Sequence, residues 1–192
     1  DRRYGVAVNS CTQGLIMTLQ MLIPAESRVL IPSLSFPASV NAVLGAGHEP
    51  VFCDTDHDGL MDIQSLDYAL SGNINAVMYA NLWGHVLDYD KMRVVTDFFN
   101  DDLPVIEDAA QAVGSEYWGK ADYTCVSLQA IKILTSGDGG FIICNKQRDC
   151  EKAKKLRWFG IDREKMPQTN GRTKGADTVA IRMLKDGKAK GK

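Results

Sequence analysis

The 192-residue sequence has only three histidines, six prolines and 8% aromatic residues, and its five cysteines include no C-x-x-C pair. His48, His57 and His85 are scattered, so no metal-ligand cluster is visible, and no metal is expected. No apolar run approaches the roughly 20 residues needed to cross a bilayer, and the start of the chain does not resemble a signal peptide. No G-x-S-x-G elbow is present, and none of the histidines has a local pattern that marks a catalytic base. Gly45-Ala46-Gly47 lacks the third glycine of a dinucleotide fingerprint and stands before a strand-like run instead of after one. Charge of one sign is also missing overall, since 22 basic and 24 acidic residues leave a net −2, which offers no general case for a nucleic-acid partner.

What is present is a globular composition, 45% hydrophobic and 24% charged. The near-neutral total conceals two unlike pieces. Residues 1–150 hold 9 basic and 19 acidic side chains, whereas residues 151–192 hold 13 basic and 5 acidic ones. The chain opens at Asp1 without a methionine and enters a strand-like run at once, which predicts a piece of a longer protein. Cys11, Cys53, Cys125, Cys144 and Cys150 stand in or beside apolar runs and read as buried free thiols in a reducing, cytoplasmic setting.

Short apolar runs rich in β-formers occur at Tyr4–Val8, Arg28–Ile31, Glu49–Cys53, Ala76–Ala80, Pro104–Ile106, Thr124–Leu128 and Gly140–Cys144. Helical patterns lie between them at Gln13–Leu22, Pro37–Leu44, Ile63–Leu70 and Asp90–Phe99, and Cys150–Phe159 follows the last run. This alternation predicts an α/β domain on a mainly parallel sheet whose strands are buried on both faces. Ligands in such domains gather at the carboxyl ends of the strands. From Met166 the sequence turns basic and rich in turn formers, and residues 164–192 are expected to form a disordered tail.

Asp54-Thr55-Asp56-His57-Asp58-Gly59 imitates the opening of a calcium loop, but its twelfth position is Ser65 where a bidentate glutamate is needed. An acidic turn at a strand end is the better reading. Three other segments carry more chemistry. Asn9-Ser10-Cys11-Thr12-Gln13 follows a strand and opens a helix, which suits either simple capping or an anion at the helix N-terminus. Glu107 and Asp108 end a buried strand, either solvated there or serving a ligand. Lys132 emerges from apolar sequence just before Ser136-Gly137-Asp138-Gly139-Gly140, either as a surface lysine or as a Schiff-base amine. Anion site, acid and amine together are what pyridoxal phosphate requires.

These residues resemble the DegT/DnrJ/EryC1/StrS family of pyridoxal-phosphate-dependent sugar aminotransferases, within the fold-type I, aspartate aminotransferase-like enzymes. Ala7-Val8-Asn9-Ser10-Cys11-Thr12 is similar to the family's phosphate segment, and Ile31–Gly47 to its P-S-x-T-[FW]-x-A-[ST]-x-N-A stretch. Val51–Asp56, Glu107-Asp108-Ala109-Ala110-Gln111, Ser127-x4-Lys132, Thr135–Gly140 and Arg157–Arg163 match further motifs in order. The resemblance implies a three-layer α/β/α sandwich over residues 1–163, on a mainly parallel mixed sheet. That piece would be the cofactor-binding large domain, lacking its leading segment and the small C-terminal domain.

It also implies roles. Lys132 would bind the cofactor covalently and move the proton, and Asp108 would pair with the pyridinium nitrogen. Phe36 would stack on the ring, and Gln111 would lie near its phenolic oxygen. Thr12, Ser127 and the amides around Cys11 and Gln13 would hold the phosphate. The implied activity moves an amino group, commonly from glutamate, to a ketone of a nucleotide-linked deoxysugar, in a homodimer with shared active sites. Family dehydratases usually carry histidine at the position of Lys132, so a dehydratase on the same scaffold is one alternative, and an inactive truncated product is another. Cys11 replaces the family glycine, and Leu128-Gln129 replaces Phe-His. No counterpart of the later G-Y-x-[YF] motif is found after Arg163.

Overall fold

The computed structural model describes residues 4–162. The basic segment 164–192 and the expectation of disorder there lie outside the described residues. The chain divides into two compact units, residues 1–153 and 154–192.

Within the first unit, seven strands form one sheet: β1 (Tyr4–Val8), β2 (Arg28–Pro32), β3 (Glu49–Cys53), β4 (Ala76–Ala80), β5 (Val105–Asp108), β6 (Tyr123–Ser127) and β7 (Gly140–Cys144). Their spatial order is β1-β7-β6-β5-β4-β2-β3. β7 runs antiparallel to both β1 and β6, and every other pair is parallel. The expected mixed, mainly parallel sheet is therefore present.

Burial on both faces holds only for the interior strands. β4, β5 and β6 are buried at every position, whereas the edge strands β1 and β3, and β7 beside β1, have exposed or half-exposed positions. Three strands also differ in extent from the expected ones, the one expected at Arg28–Ile31 running on to Pro32. The strand expected at Pro104–Ile106 runs Val105–Asp108, and that expected at Thr124–Leu128 runs Tyr123–Ser127. Asp108 continues the ladder by pairing with Ala80 and Cys125, so the charged residue ends the strand, as its sequence context suggests.

The helices are α1 (Cys11–Leu22), α2 (Pro37–Gly45), α3 (Leu66–Leu70, after a 3-10 turn at Ile63–Ser65), α4 (Tyr89–Phe99) and α5 (Gln147–Arg157). α1 starts two residues before the pattern predicts because the Ser10 side chain caps it, accepting from the Gln13 N–H at 3.1 Å. Gly14 lets this helix sit close to the sheet. A Cβ there would lie 3.3 Å from Ile142 and 3.5 Å from the Cys125 sulfur.

Two apolar cores flank the sheet. One joins α1 and α2 with Cys150 and Ala153 of α5 against Val6, Ile106, Cys125 and Ile142. The other joins α3 and α4 against Leu30, Val77, Tyr79 and Val105. This is the three-layer α/β/α arrangement. In the second unit, the described stretch carries a Lys155–Asp162 ion pair at 3.3 Å and an edge-to-face contact between Trp158 and Phe159.

Candidate active site

A cavity of about 400 Å³ opens at the carboxyl ends of β4, β5 and β6, beside the first turn of α1. Such sheets form pockets at this end because parallel strands deliver their last residues and the following loops there together. Of the residues singled out from sequence, Thr12, Phe36, Asp108, Gln111, Ser127 and Lys132 all line it. Gln13 does not. It sits one position further along α1, and its N–H is already bonded to the Ser10 hydroxyl.

The pleat of β5 separates the two acids that end it, since successive side chains point to opposite faces. Glu107 faces away from the cavity and is fully buried. It accepts from Asn81 Nδ2 at 2.8 Å, from the Gly119 N–H at 2.8 Å and from Thr124 Oγ1 at 2.9 Å. A ligand-binding role for Glu107 is thereby excluded, because its oxygens are occupied by the protein itself.

Asp108 turns into the cavity with 6% exposure. Its Oδ1 accepts from the Ala110 N–H at 3.0 Å and from the Cys11 thiol at 3.5 Å. Burial raises its carboxyl above the ordinary range, although the Ala110 N–H, the Cys11 thiol and the Lys132 charge each pull it down. The Cys11 thiol is itself pushed well up, first by burial and then by the Asp108 carboxylate, so it stays protonated.

Lys132 does not end a strand as its sequence context suggests. β6 stops at Ser127, and Lys132 lies in the loop beyond, where its N–H bonds the Gln129 carbonyl at 2.9 Å. Its ammonium lies 6.0 Å from the centre of the Phe36 ring, and it makes no ion pair among the described residues. The Phe36 ring is 63% exposed, an unusual placement for an aromatic of this size. Gln111 has its side-chain oxygen held by the Trp83 N–H at 3.1 Å, which leaves its NH₂ as the free end.

The cavity wall at the start of α1 depends on glycine. Ser10 forms a bridge with Gly139, and a Cβ on Gly140 would lie 2.8 Å from the Cys11 nitrogen and 2.6 Å from the Val126 carbonyl. Gly140 thus lets the start of α1 rest directly on β7, with Ser10, Cys11 and Thr12 in the cavity wall. The positive end of the helix faces the cavity.

Sequence reasoning missed Asn81, Leu82 and Trp83, the first two of which line the cavity. The available signal was an amide directly after a wholly apolar strand, at the end where ligands bind. The calcium-like segment is a turn, with Asp56 Oδ1 accepting from the Asp58 and Leu60 N–H groups.

Sheet order, layers and cavity position define the class as the large domain of fold-type I aminotransferases. The chain belongs to the DegT/DnrJ/EryC1/StrS aminotransferase family, whose model matches residues 1–183. That match runs past Arg163, beyond the last of the motifs named above.

The chain is 36% identical over 164 residues to L-glutamine:2-deoxy-scyllo-inosose aminotransferase from Streptomyces paromomycinus, covering 82% of this chain and 38% of that protein. It is 35% identical over 167 residues to GDP-perosamine synthase from Caulobacter vibrioides, covering 83% and 44%. The crystal structure of NtdA from Bacillus subtilis with bound cofactor PMP superposes with a TM-score of 0.77 at 26% identity, covering 87% of this chain and 40% of that one. The chain thus spans less than half the length of these proteins.

Proposed function

We propose that this chain is the cofactor-binding part of a pyridoxal-phosphate-dependent aminotransferase that acts on a keto group of a nucleotide-linked deoxysugar, with glutamate as the amino donor. The observation that carries this reading is the convergence of the Lys132 amine, the Asp108 carboxylate and the first turn of α1 on one cavity. An amine, a buried acid and a cationic helix end are the three donors and acceptors the cofactor needs, and the cavity is large enough for a ring and its phosphate. Pyridoxal phosphate, when bound, supplies an electron-accepting ring on which an amino group can be carried between two carbons.

The chain's own residues divide the remaining work. The first turn of α1, with Thr12 and Ser127, offers N–H and hydroxyl donors to a phosphate. Asp108 accepts from a protonated ring nitrogen and keeps the proton there, because a buried carboxylate stabilises a cation strongly. Phe36, at the cavity wall, would lie over one face of a bound ring. The Gln111 NH₂, oriented by Trp83, donates to a ring oxygen. Lys132 takes up and returns a proton at its amine nitrogen.

A lysine at this position favours amino transfer over dehydration, since only a primary amine can both attach the cofactor and exchange it for a donor's amine. Ile131 and Ile133 flank Lys132 with 84% and 74% exposure, which supports pairing of this loop with a second copy of the chain. Among the described residues no helix is long and apolar enough to cross a membrane, and the reading places the enzyme in the cytoplasm.

The test is covalent trapping. Incubation with pyridoxal phosphate, borohydride reduction and peptide mapping should place the adduct on Lys132, and Lys132→Ala should abolish it. An adduct on any other lysine overturns the assignment. Mass analysis of a nucleotide ketosugar incubated with glutamate then separates amination from dehydration.

A further inference from the structure

We infer that Cys11 is a positioning residue for Asp108, its thiol fixing one carboxylate oxygen so that the other is left for a cationic N–H inside the cavity. Both bonds that the Asp108 side chain accepts end on Oδ1, from Cys11 Sγ at 3.5 Å and from the Ala110 N–H at 3.0 Å. Oδ2 has no partner among the described residues. Two donors arriving on one oxygen from different elements, α1 and the loop after β5, hold the carboxylate plane in a single orientation.

The thiol is placed as firmly as the acid. Cys11 is the first residue of α1 and is 7% exposed. The Ser10 cap holds the helix start, as does the close approach of Gly140 to the Cys11 nitrogen. The thiol therefore reaches Asp108 from a fixed point on α1.

The consequence is electrostatic. A donor to the charged form of an acid favours that form. Burial works against the Asp108 carboxylate, and the thiol offsets part of that cost. Because the thiol's own ionisation is pushed well above its ordinary value, it is still a donor as the acid ionises. The inference depends on the proposed cofactor chemistry only for the identity of the N–H that Oδ2 would meet.

The experiment compares wild type, Cys11→Ala and Cys11→Ser of the 192-residue chain by two measurements. The first is carbon NMR titration of the Asp108 carboxyl without added ligand. The second is the dissociation constant for pyridoxal phosphate by absorbance titration. Cys11→Ala should raise the titration midpoint and weaken cofactor affinity about fivefold at neutral pH, the scale of one weak hydrogen bond. Cys11→Ser, whose O–H donates more strongly than S–H, should lower the midpoint and hold the affinity.

An Ala variant that titrates and binds like wild type overturns the inference. Should Cys11→Ala fail to fold, the serine variant decides alone, and an unchanged midpoint overturns it. If wild type binds no pyridoxal phosphate, the functional reading falls, while the carboxyl titration still decides the thiol contact.

Discussion

Glu107 and Asp108 are neighbours in sequence, both buried and both acidic, yet they sit in two regions of unlike character. On the side of the sheet that carries α3 and α4, Glu107 is closed in by the Asn81 amide, the Gly119 N–H and the Thr124 hydroxyl. Asn81 in turn accepts from the Leu87 N–H at 2.9 Å, so the network ties β4, β5, β6 and the loop before α4 together. On the side that carries α1, Asp108 has two donors on one oxygen and a cavity in front of the other. Burial alone does not distinguish a functional acid from a structural one. The number of protein donors does, because an acid whose oxygens are fully engaged has nothing left to offer a ligand.

This contrast is open to direct attack. The largest effect should come from Glu107→Ala, which strands two buried donors, Asn81 and Thr124, and the half-buried Gly119 N–H, and should cost about 3 kcal/mol. At this chain length that is a fall in Tm of about 10 °C, readable by calorimetry. If Glu107→Ala melted like wild type, the closed network would not be structural. Next is Asp108→Asn, which should weaken pyridoxal-phosphate binding about 10- to 100-fold, the scale of a lost charge-assisted hydrogen bond. Its Tm should stay close to that of wild type, and an Asp108→Asn protein that lost stability like Glu107→Ala would erase the distinction between the two acids.

The smallest effect is a pH dependence of stability without cofactor. The folded state holds the Asp108 proton more tightly than the unfolded state does. Its contribution is therefore most favourable below the unfolded pKa, near 4, and is lost as pH rises through the elevated folded value. Relative to wild type, Asp108→Asn should gain stability as pH rises across that window, which a series of melting curves would show as a widening gap in Tm.

Much of this arrangement was legible in the residues. The strand and helix alternation places the carboxyl end of the sheet, and the Thr12, Phe36, Asp108, Gln111, Ser127 and Lys132 set meets there. What sequence could not resolve was which way a side chain points. Glu107 and Asp108 both read as strand-end acids until the register of β5 against β4 and β6 assigns them to opposite faces. The Gln13 amide looked available to an anion until the Ser10 hydroxyl claimed it. Trp83 escaped notice because its contribution is a backbone N–H, presented with φ at +55°, and backbone donors leave no mark in residue type. The edge strands β1 and β3 resembled interior ones because a short apolar run does not record how many neighbours it has.

The reversed strand also bears on the order in which the molecule is made. In the sheet, β1 has β7 as its strand partner, and Tyr4 pairs with Cys144, two residues 140 positions apart. A chain emerging from the ribosome therefore exposes its first strand long before the strand that completes it exists, and contacts of such separation form slowly. Because Gly139 and Gly140 also seat the first turn of α1, the helix end that lines the cavity reaches its position only when β7 arrives. The cavity is thus completed only once β7 has paired with β1 and β6, and a ligand held there would stabilise that paired arrangement.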